Sequence, residues 1–141
     1  MRQEVLFVCT GNRARSQMGE GLLRHSAGDR FNVSSAGIIP SGLADESIEA
    51  MNEIGIDISA QVSQHVDEFS GVSFDYVITV CDDAREVCPV FPGDGERIHW
   101  SIEDPSDTYA RGGTLLEAFR VSRDDLRERI AAFVARAADQ A

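Results

Sequence analysis

The sequence predicts a parallel α/β sheet of four strands in a single domain, residues 1–141. Short runs of β-forming residues alternate with segments of helical periodicity, and no repeat, low-complexity tract or linker interrupts them. At 141 residues, 43% hydrophobic and 26% charged, the chain is long enough to bury one continuous core.

Residues 4–8 read as a buried strand, because Val5 to Val8 form an unbroken apolar run. A helical pattern follows over 16–25, then a strand over 31–35 and a helix over 45–54. Residues 74–80 are predicted as the third strand and 97–100 as a short fourth. In the tail, Leu115, Leu116, Phe119, Leu126, Ile130, Phe133 and Val134 recur at a spacing that gives one long helix an apolar stripe. Those residues are predicted core.

Composition excludes several classes of partner. A formal net charge of -11 repels nucleic acid and anionic membrane surfaces, and no basic run offers a local footprint. No segment approaches the roughly 18 apolar residues of a membrane span. The first apolar run is too short and too close to Glu4 for an export signal, so a cytoplasmic protein is expected and the Asn32-Val33-Ser34 sequon is a chance match. With 3 cysteines, an odd count, in a reducing compartment, no disulfide framework is expected. No metal site is expected either: there is no C-x-x-C, and His25, His65 and His99 show no ligand-like spacing to Cys9, Cys81 or Cys88. Reactive thiols remain. All 13 cationic residues are Arg, so only individual positions carry an argument.

In open parallel sheets, ligands bind beyond the carboxyl ends of the strands. Cys9 ends the first predicted strand, Cys81 ends the third, and Asp104 lies in the loop leaving the fourth. Three chemically capable groups therefore share one rim. In "VLFVCTGNRARSQMGEG", Thr10, Gly11, Asn12, Arg13 and Ala14 separate Cys9 from Arg15. A tight loop of that length turns successive backbone N–H groups toward a tetrahedral anion. The following helix adds its amino-terminal dipole. Arg15 supplies a planar fork, and the Ser16 hydroxyl can donate to the Cys9 sulfur. The same positive field favours the thiolate. The chain has no Lys, which excludes a Walker A loop, and Gly19-Glu20-Gly21 lacks a third glycine and sits inside the predicted helix. The simpler alternatives are a small buried Cys9 at a strand end and an Asp104-Pro105 turn. The convergence on one rim favours a site.

Together with "VITVCDDAREVCP" and "HWSIEDPSD", the opening stretch closely resembles thioredoxin-coupled arsenate reductases built on the low-molecular-weight protein tyrosine phosphatase fold. The likeness runs nearly the whole chain, including the tail "FRVSRDDLRERI". It implies a three-layer fold, a four-stranded parallel sheet with helices on both sides. It also implies that Cys9 attacks arsenate, that Arg15 and the loop amides hold the oxyanion, and that Asp104 protonates the leaving oxygen. Cys81 then attacks Cys9, arsenite departs, and Cys88 attacks Cys81, leaving a Cys81–Cys88 disulfide for thioredoxin. The resemblance implies no bound organic cofactor; arsenate and thioredoxin are the expected partners, and a monomer is expected. If residues 82–87 form a helix, the two thiols at its ends lie about 10 Å apart along the axis. A disulfide needs Cα atoms within roughly 7 Å, so the helix must unwind.

Three positions depart from the family pattern. Ala14 stands where the phosphatases and some reductases have a further cysteine, and Arg13 where a small residue is usual. The family's monovalent-cation site matches Asn12, Glu20 and Ser35, but its carboxylate falls on Gln64. A phosphatase remains the main alternative: it needs Cys9, Arg15 and Asp104 but has no use for Cys81 and Cys88. An oxyanion or arsenic sensor would keep the thiols but not require Asp104.

Overall fold

The structure is a computed structural model and describes residues 2–139; positions 1, 140 and 141, at the ends of the expected domain, lie outside the described residues. In chain order the elements are β1 (Gln3–Cys9), α1 (Arg15–Ala27), β2 (Phe31–Gly37), α2 (Asp45–Asn52), a 3-10 turn (Val66–Phe69), β3 (Tyr76–Thr79), α3 (Asp82–Val87), β4 (Glu96–His99), α4 (Pro105–Ala110) and α5 (Leu115–Asp139). The four strands form one parallel sheet in the order β2-β1-β3-β4. The chain moves from β1 to β2 on one side and returns to β3 on the other. The direction of winding therefore reverses at β1, which leaves a crevice beyond its carboxyl end.

Both faces of the sheet are covered, as the uninterrupted apolar run of β1 requires. Val5, Leu6, Phe7 and Val8 are fully buried. On one face α1 lies so close that a Cβ on Gly19 would stand 3.0 Å from the Phe7 ring, an approach only glycine allows without movement. α5 covers the same face through Phe133, whose ring meets Tyr76 at 4.9 Å, Phe31 at 5.5 Å and Trp100 at 6.3 Å. α3 packs on the opposite face, toward which Thr79 and His99 point. Among the described residues no helix is long and apolar enough to cross a membrane.

Several boundaries differ from the sequence reading. The third strand is Tyr76–Thr79 instead of 74–80, because Phe74 leaves the ladder to pack edge-on against Phe69 and Phe91. The fourth is Glu96–His99 instead of 97–100. The helix expected over 45–54 ends at Asn52: the N–H groups of Ile54 and Ile56 both fold back to the Met51 carbonyl, with Gly55 at φ +80°. In the tail, Phe119, Leu126, Ile130 and Phe133 are buried as expected, while Leu115, Leu116 and Val134 are half-buried. The segment after β4 is not all loop, since Asp104 caps α4 and Pro105 occupies its first turn. An Asp-Pro pair carries that signal in the sequence, a good cap followed by a residue that needs no N–H partner.

α2 is tied to α5 by one carboxylate. Glu53 accepts from Arg120 Nε at 2.9 Å and from Arg123 Nη1 at 2.8 Å. The hydrogen bond from Arg120 is the main reason its pKa falls from 4.5 to about 2. Because the folded state binds the ionised form better, this stabilisation is present in full above pH 4.5 and is lost as the pH falls toward 2. Glu53→Gln should therefore lower the urea midpoint at pH 7 yet flatten its decline across that acid window, as urea titrations at stepped pH will show.

Candidate active site

Cys9 is the last residue of β1, and α1 begins only 6 residues later at Arg15. The intervening loop has its carbonyls turned outward, and each has a partner. Cys9 O accepts from Ile38 N at 3.2 Å, Thr10 O from Ile39 N at 2.8 Å and Gly11 O from Ser41 N at 2.9 Å. Asn12 O accepts from Gln17 Nε2 at 3.0 Å, Arg13 O from Ala44 N at 3.1 Å, and Ala14 O from Met18 N at 2.9 Å. Among the described residues, the N–H groups of residues 11–14 meet no protein acceptor. Thr10, Gly11, Arg13 and Ala14 of the loop line a cavity of about 210 Å³ together with Cys9, Arg15, Asp104 and Phe119. Unpaired amides, a helix start and a guanidinium around one cavity are the groups that suit a tetrahedral oxyanion.

Asn12 holds the loop in that shape. Its φ of +44° is the only positive value at a non-glycine residue among those described, and the residue is fully buried. Nδ2 donates to Ser16 Oγ at 2.8 Å and to Ser35 Oγ at 2.9 Å, while Oδ1 accepts from Gln64 N at 2.9 Å. The sequence reading counted Asn12 among the oxyanion-binding residues; the structure instead buries it beneath the loop, where its side chain braces Ser16, Ser35 and Gln64. Gly37 is needed beside it, because a Cβ there would fall 2.8 Å from both Asn12 N and Thr10 O.

Ser16 lies 2.8 Å from Cys9 Sγ. Ser16 Oγ accepts from Asn12 Nδ2, and toward an ionised Cys9 sulfur the same hydroxyl can only donate. Arg15, largely buried, donates to Ile102 O at 3.1 Å and reaches Asp104 Oδ2 at 3.4 Å. The other oxygen of Asp104 accepts from Ser106 N at 2.9 Å as the α4 cap. Arg13 is exposed, and its carbonyl also receives Ser47 Oγ at 3.0 Å.

Because Val8 pairs with Thr79, continuing the register puts Thr10 opposite Cys81. Thr10 Oγ1 lies 3.3 Å from Cys81 Sγ. The sequence reading placed Thr10 in the oxyanion loop but missed this contact, which depends on strand register. Cys81 is buried and ends up beside a second cavity, about 400 Å³, that shares Arg15 and Asp104 with the first. Cys88 lies at the other end of α3, half-buried. Burial pushes its thiol above the ordinary range, and the Arg97 guanidinium acts in the opposite direction.

Around the residues that match the family's cation site, the Glu20 carboxylate accepts from Ser35 Oγ at 2.5 Å and from Arg24 Nη2 at 2.5 Å. Gln64 Nε2 donates to Ser35 O at 3.0 Å. Arg24, which the sequence reading did not single out, thus brings a fixed positive charge to this carboxylate.

Comparison with known proteins shows the family and the fold. Residues 4–140 match the low molecular weight phosphotyrosine protein phosphatase family. An arsenate reductase of Halalkalibacterium halodurans is 40% identical over 132 residues, covering 94% of this chain and 95% of the relative. A solved arsenate reductase in its oxidised state superposes with a TM-score of 0.81 at 32% identity, over 95% of this chain and 98% of that one. A thioredoxin-dependent arsenate reductase of Corynebacterium glutamicum gives a TM-score of 0.65 at 29% identity, over 93% of this chain and 61% of that one.

The Ser16 proton gives a direct test. In a background with Cys81 and Cys88 replaced by Ser, Ser16→Ala should slow alkylation of Cys9 by iodoacetamide at neutral pH by about tenfold, the scale of one hydrogen bond to a charged atom.

Proposed function

The chain belongs to the low-molecular-weight phosphotyrosine protein phosphatase family, and we propose that within it this protein reduces arsenate to arsenite with electrons from thioredoxin. The observation that carries the reading is the second thiol at the rim of the anion loop, Cys81 bonded to Thr10, with a third thiol at the far end of the same short helix. A phosphatase needs only the first. Relatives called arsenate reductases, one of them thioredoxin-dependent, support the same choice.

In this reading arsenate sits in the loop, its oxygens held by the loop amides and the Arg15 fork. The Cys9 thiolate attacks arsenic, and one oxygen leaves as water after taking a proton for which Asp104 is the nearest carboxyl donor. Cys81 then attacks Cys9 Sγ. A sulfur–sulfur bond forms as the sulfur–arsenic bond breaks, and the electron pair of that bond leaves with arsenic, so As(V) becomes As(III) and the two thiols are oxidised. Cys88 displaces Cys9 from Cys81, which frees Cys9 for another cycle. The dithiol of thioredoxin finally reduces the Cys81–Cys88 bond. Arg15 and Asp104 line both cavities, so the anion site and the Cys81 side adjoin. No organic cofactor enters any step. Three free thiols that depend on a reducing partner fit a cytoplasmic setting.

Hydrolysis of phosphate esters is the second reading, favoured by the shared anion loop. It uses the first step and then water instead of Cys81, so the two activities separate cleanly by mutation.

Cys9→Ser should abolish both arsenate-dependent NADPH oxidation, coupled through thioredoxin and its reductase, and any aryl phosphate hydrolysis, because a serine hydroxyl is not ionised near neutral pH. Substantial arsenate turnover by that variant would refute the assignment. Cys88→Ser should release one equivalent of arsenite per enzyme and then stall with thioredoxin, keeping whatever aryl phosphate hydrolysis the unaltered protein shows. Normal cycling by Cys88→Ser would overturn the order of the relay.

A further inference from the structure

β4 is an edge strand, and its alternation sends Arg97 and His99 to the same side of the sheet, toward α3. The two side chains grip opposite ends of that helix. At the start, His99 Nε2 lies 2.8 Å from Asp82 Oδ1, which also accepts from Ser101 Oγ at 3.0 Å, while His99 Nδ1 lies 2.7 Å from Thr79 Oγ1. At the finish, Arg97 donates from Nη1 to Pro89 O at 3.0 Å and from Nη2 to Cys88 O at 3.4 Å.

The two ends are not equivalent. Cys81 is buried, follows fully buried Val80 at the end of the sheet and is held by its contact with Thr10, so it is the anchored end. Cys88 is half-buried and opens into a loop in which Val90 is 88% exposed and Gly93 has φ +94°. A helix of 6 residues holds the two cysteines about 10 Å apart along its axis, beyond disulfide reach. Closing the Cys81–Cys88 bond therefore moves Cys88, and the Arg97 contacts to the Cys88 and Pro89 carbonyls are those that must break.

We propose that Arg97 is a positioning residue for the third thiol: it holds the last turn of α3 in the dithiol form, is released when the disulfide closes, and so raises the readiness of that disulfide to be reduced. The inference rests on the relay proposed above. Its physical basis is linkage. An interaction made in the dithiol state and absent from the disulfide state favours the dithiol by its own free energy, whereas the His99–Asp82 grip sits on the end that stays in place and favours neither. The guanidinium also opposes the upward push of burial on the Cys88 thiol.

The test needs no arsenate, so it stands apart from the turnover assays. In a Cys9→Ser background, where Cys81–Cys88 is the one internal disulfide available, the protein is equilibrated with defined mixtures of reduced and oxidised glutathione and the oxidised fraction is measured. Arg97→Met should shift the constant toward the disulfide by about three- to tenfold, the scale of one to two lost hydrogen bonds, and should quicken amide exchange at Val87 and Cys88 in the reduced protein. Arg97→Lys should return most of the shift. Ser101→Ala, at the anchored end, should stay within about twofold of the parent. An Arg97→Met constant unchanged within that margin, an equal shift from Ser101→Ala, or no Cys81–Cys88 disulfide under any mixture would each overturn the proposal.

Discussion

A single buried asparagine in the left-handed region sets the terms for the rest of the structure. For a residue with a Cβ, that backbone conformation costs on the order of 1–2 kcal/mol. Here it is offset by the three hydrogen bonds through which the Asn12 amide joins Ser16, Ser35 and Gln64. The conformation lets the loop carbonyls turn outward to partners while the N–H groups of residues 11–14 stay free of protein acceptors. It also holds the Ser16 hydroxyl 2.8 Å from Cys9 Sγ, where it can donate to an ionised sulfur. Loop shape and thiol environment are thus consequences of one side chain.

Sheet order supplies the second requirement. β1 lies inside the sheet with β2 on one side and β3 on the other, so the residues after its end are flanked by both neighbouring strand ends. Gly37 closes against the loop from β2, and Cys81 reaches Thr10 from β3. The segment after β4 returns Asp104 to Arg15 as the cap of α4. A protein with a net charge of -11 thereby assembles a local cradle for an anion. Short-range donors outweigh the field of the whole molecule at contact distance, because screening removes most of the contribution from charges more than a Debye length away.

The two chemistries weighed for this scaffold diverge after the first covalent step. Water arriving at the bound oxyanion gives hydrolysis; a thiolate arriving at sulfur gives electron transfer. What tips the balance in the proposed reading is mechanical as much as chemical. Cys81 is fixed at the sheet end while Cys88 rides on a helix of 6 residues that ends in a loop. Such a helix is too short to be stable by itself and is held by tertiary contacts, which makes it suited to open and reform.

What is local along the chain is legible without the fold. An apolar run, a loop of five residues, an arginine and a helix start lie within 17 residues, and strand direction alone puts the carboxyl ends of parallel strands on one rim. That is why Cys9, Arg15, Ser16, Cys81 and Asp104 could be read as neighbours. Which of them touch is settled by the packed molecule. The brace from Asn12 to Ser35 and Gln64, the Thr10–Cys81 contact, the Arg24 charge on Glu20 and the hold of Arg97 on Cys88 all depend on strand order, register or helix facing. Periodicity tells which side of a strand a residue takes but not which strand lies beside it. That choice is made by packing the whole core, where the contacts join residues far apart in sequence.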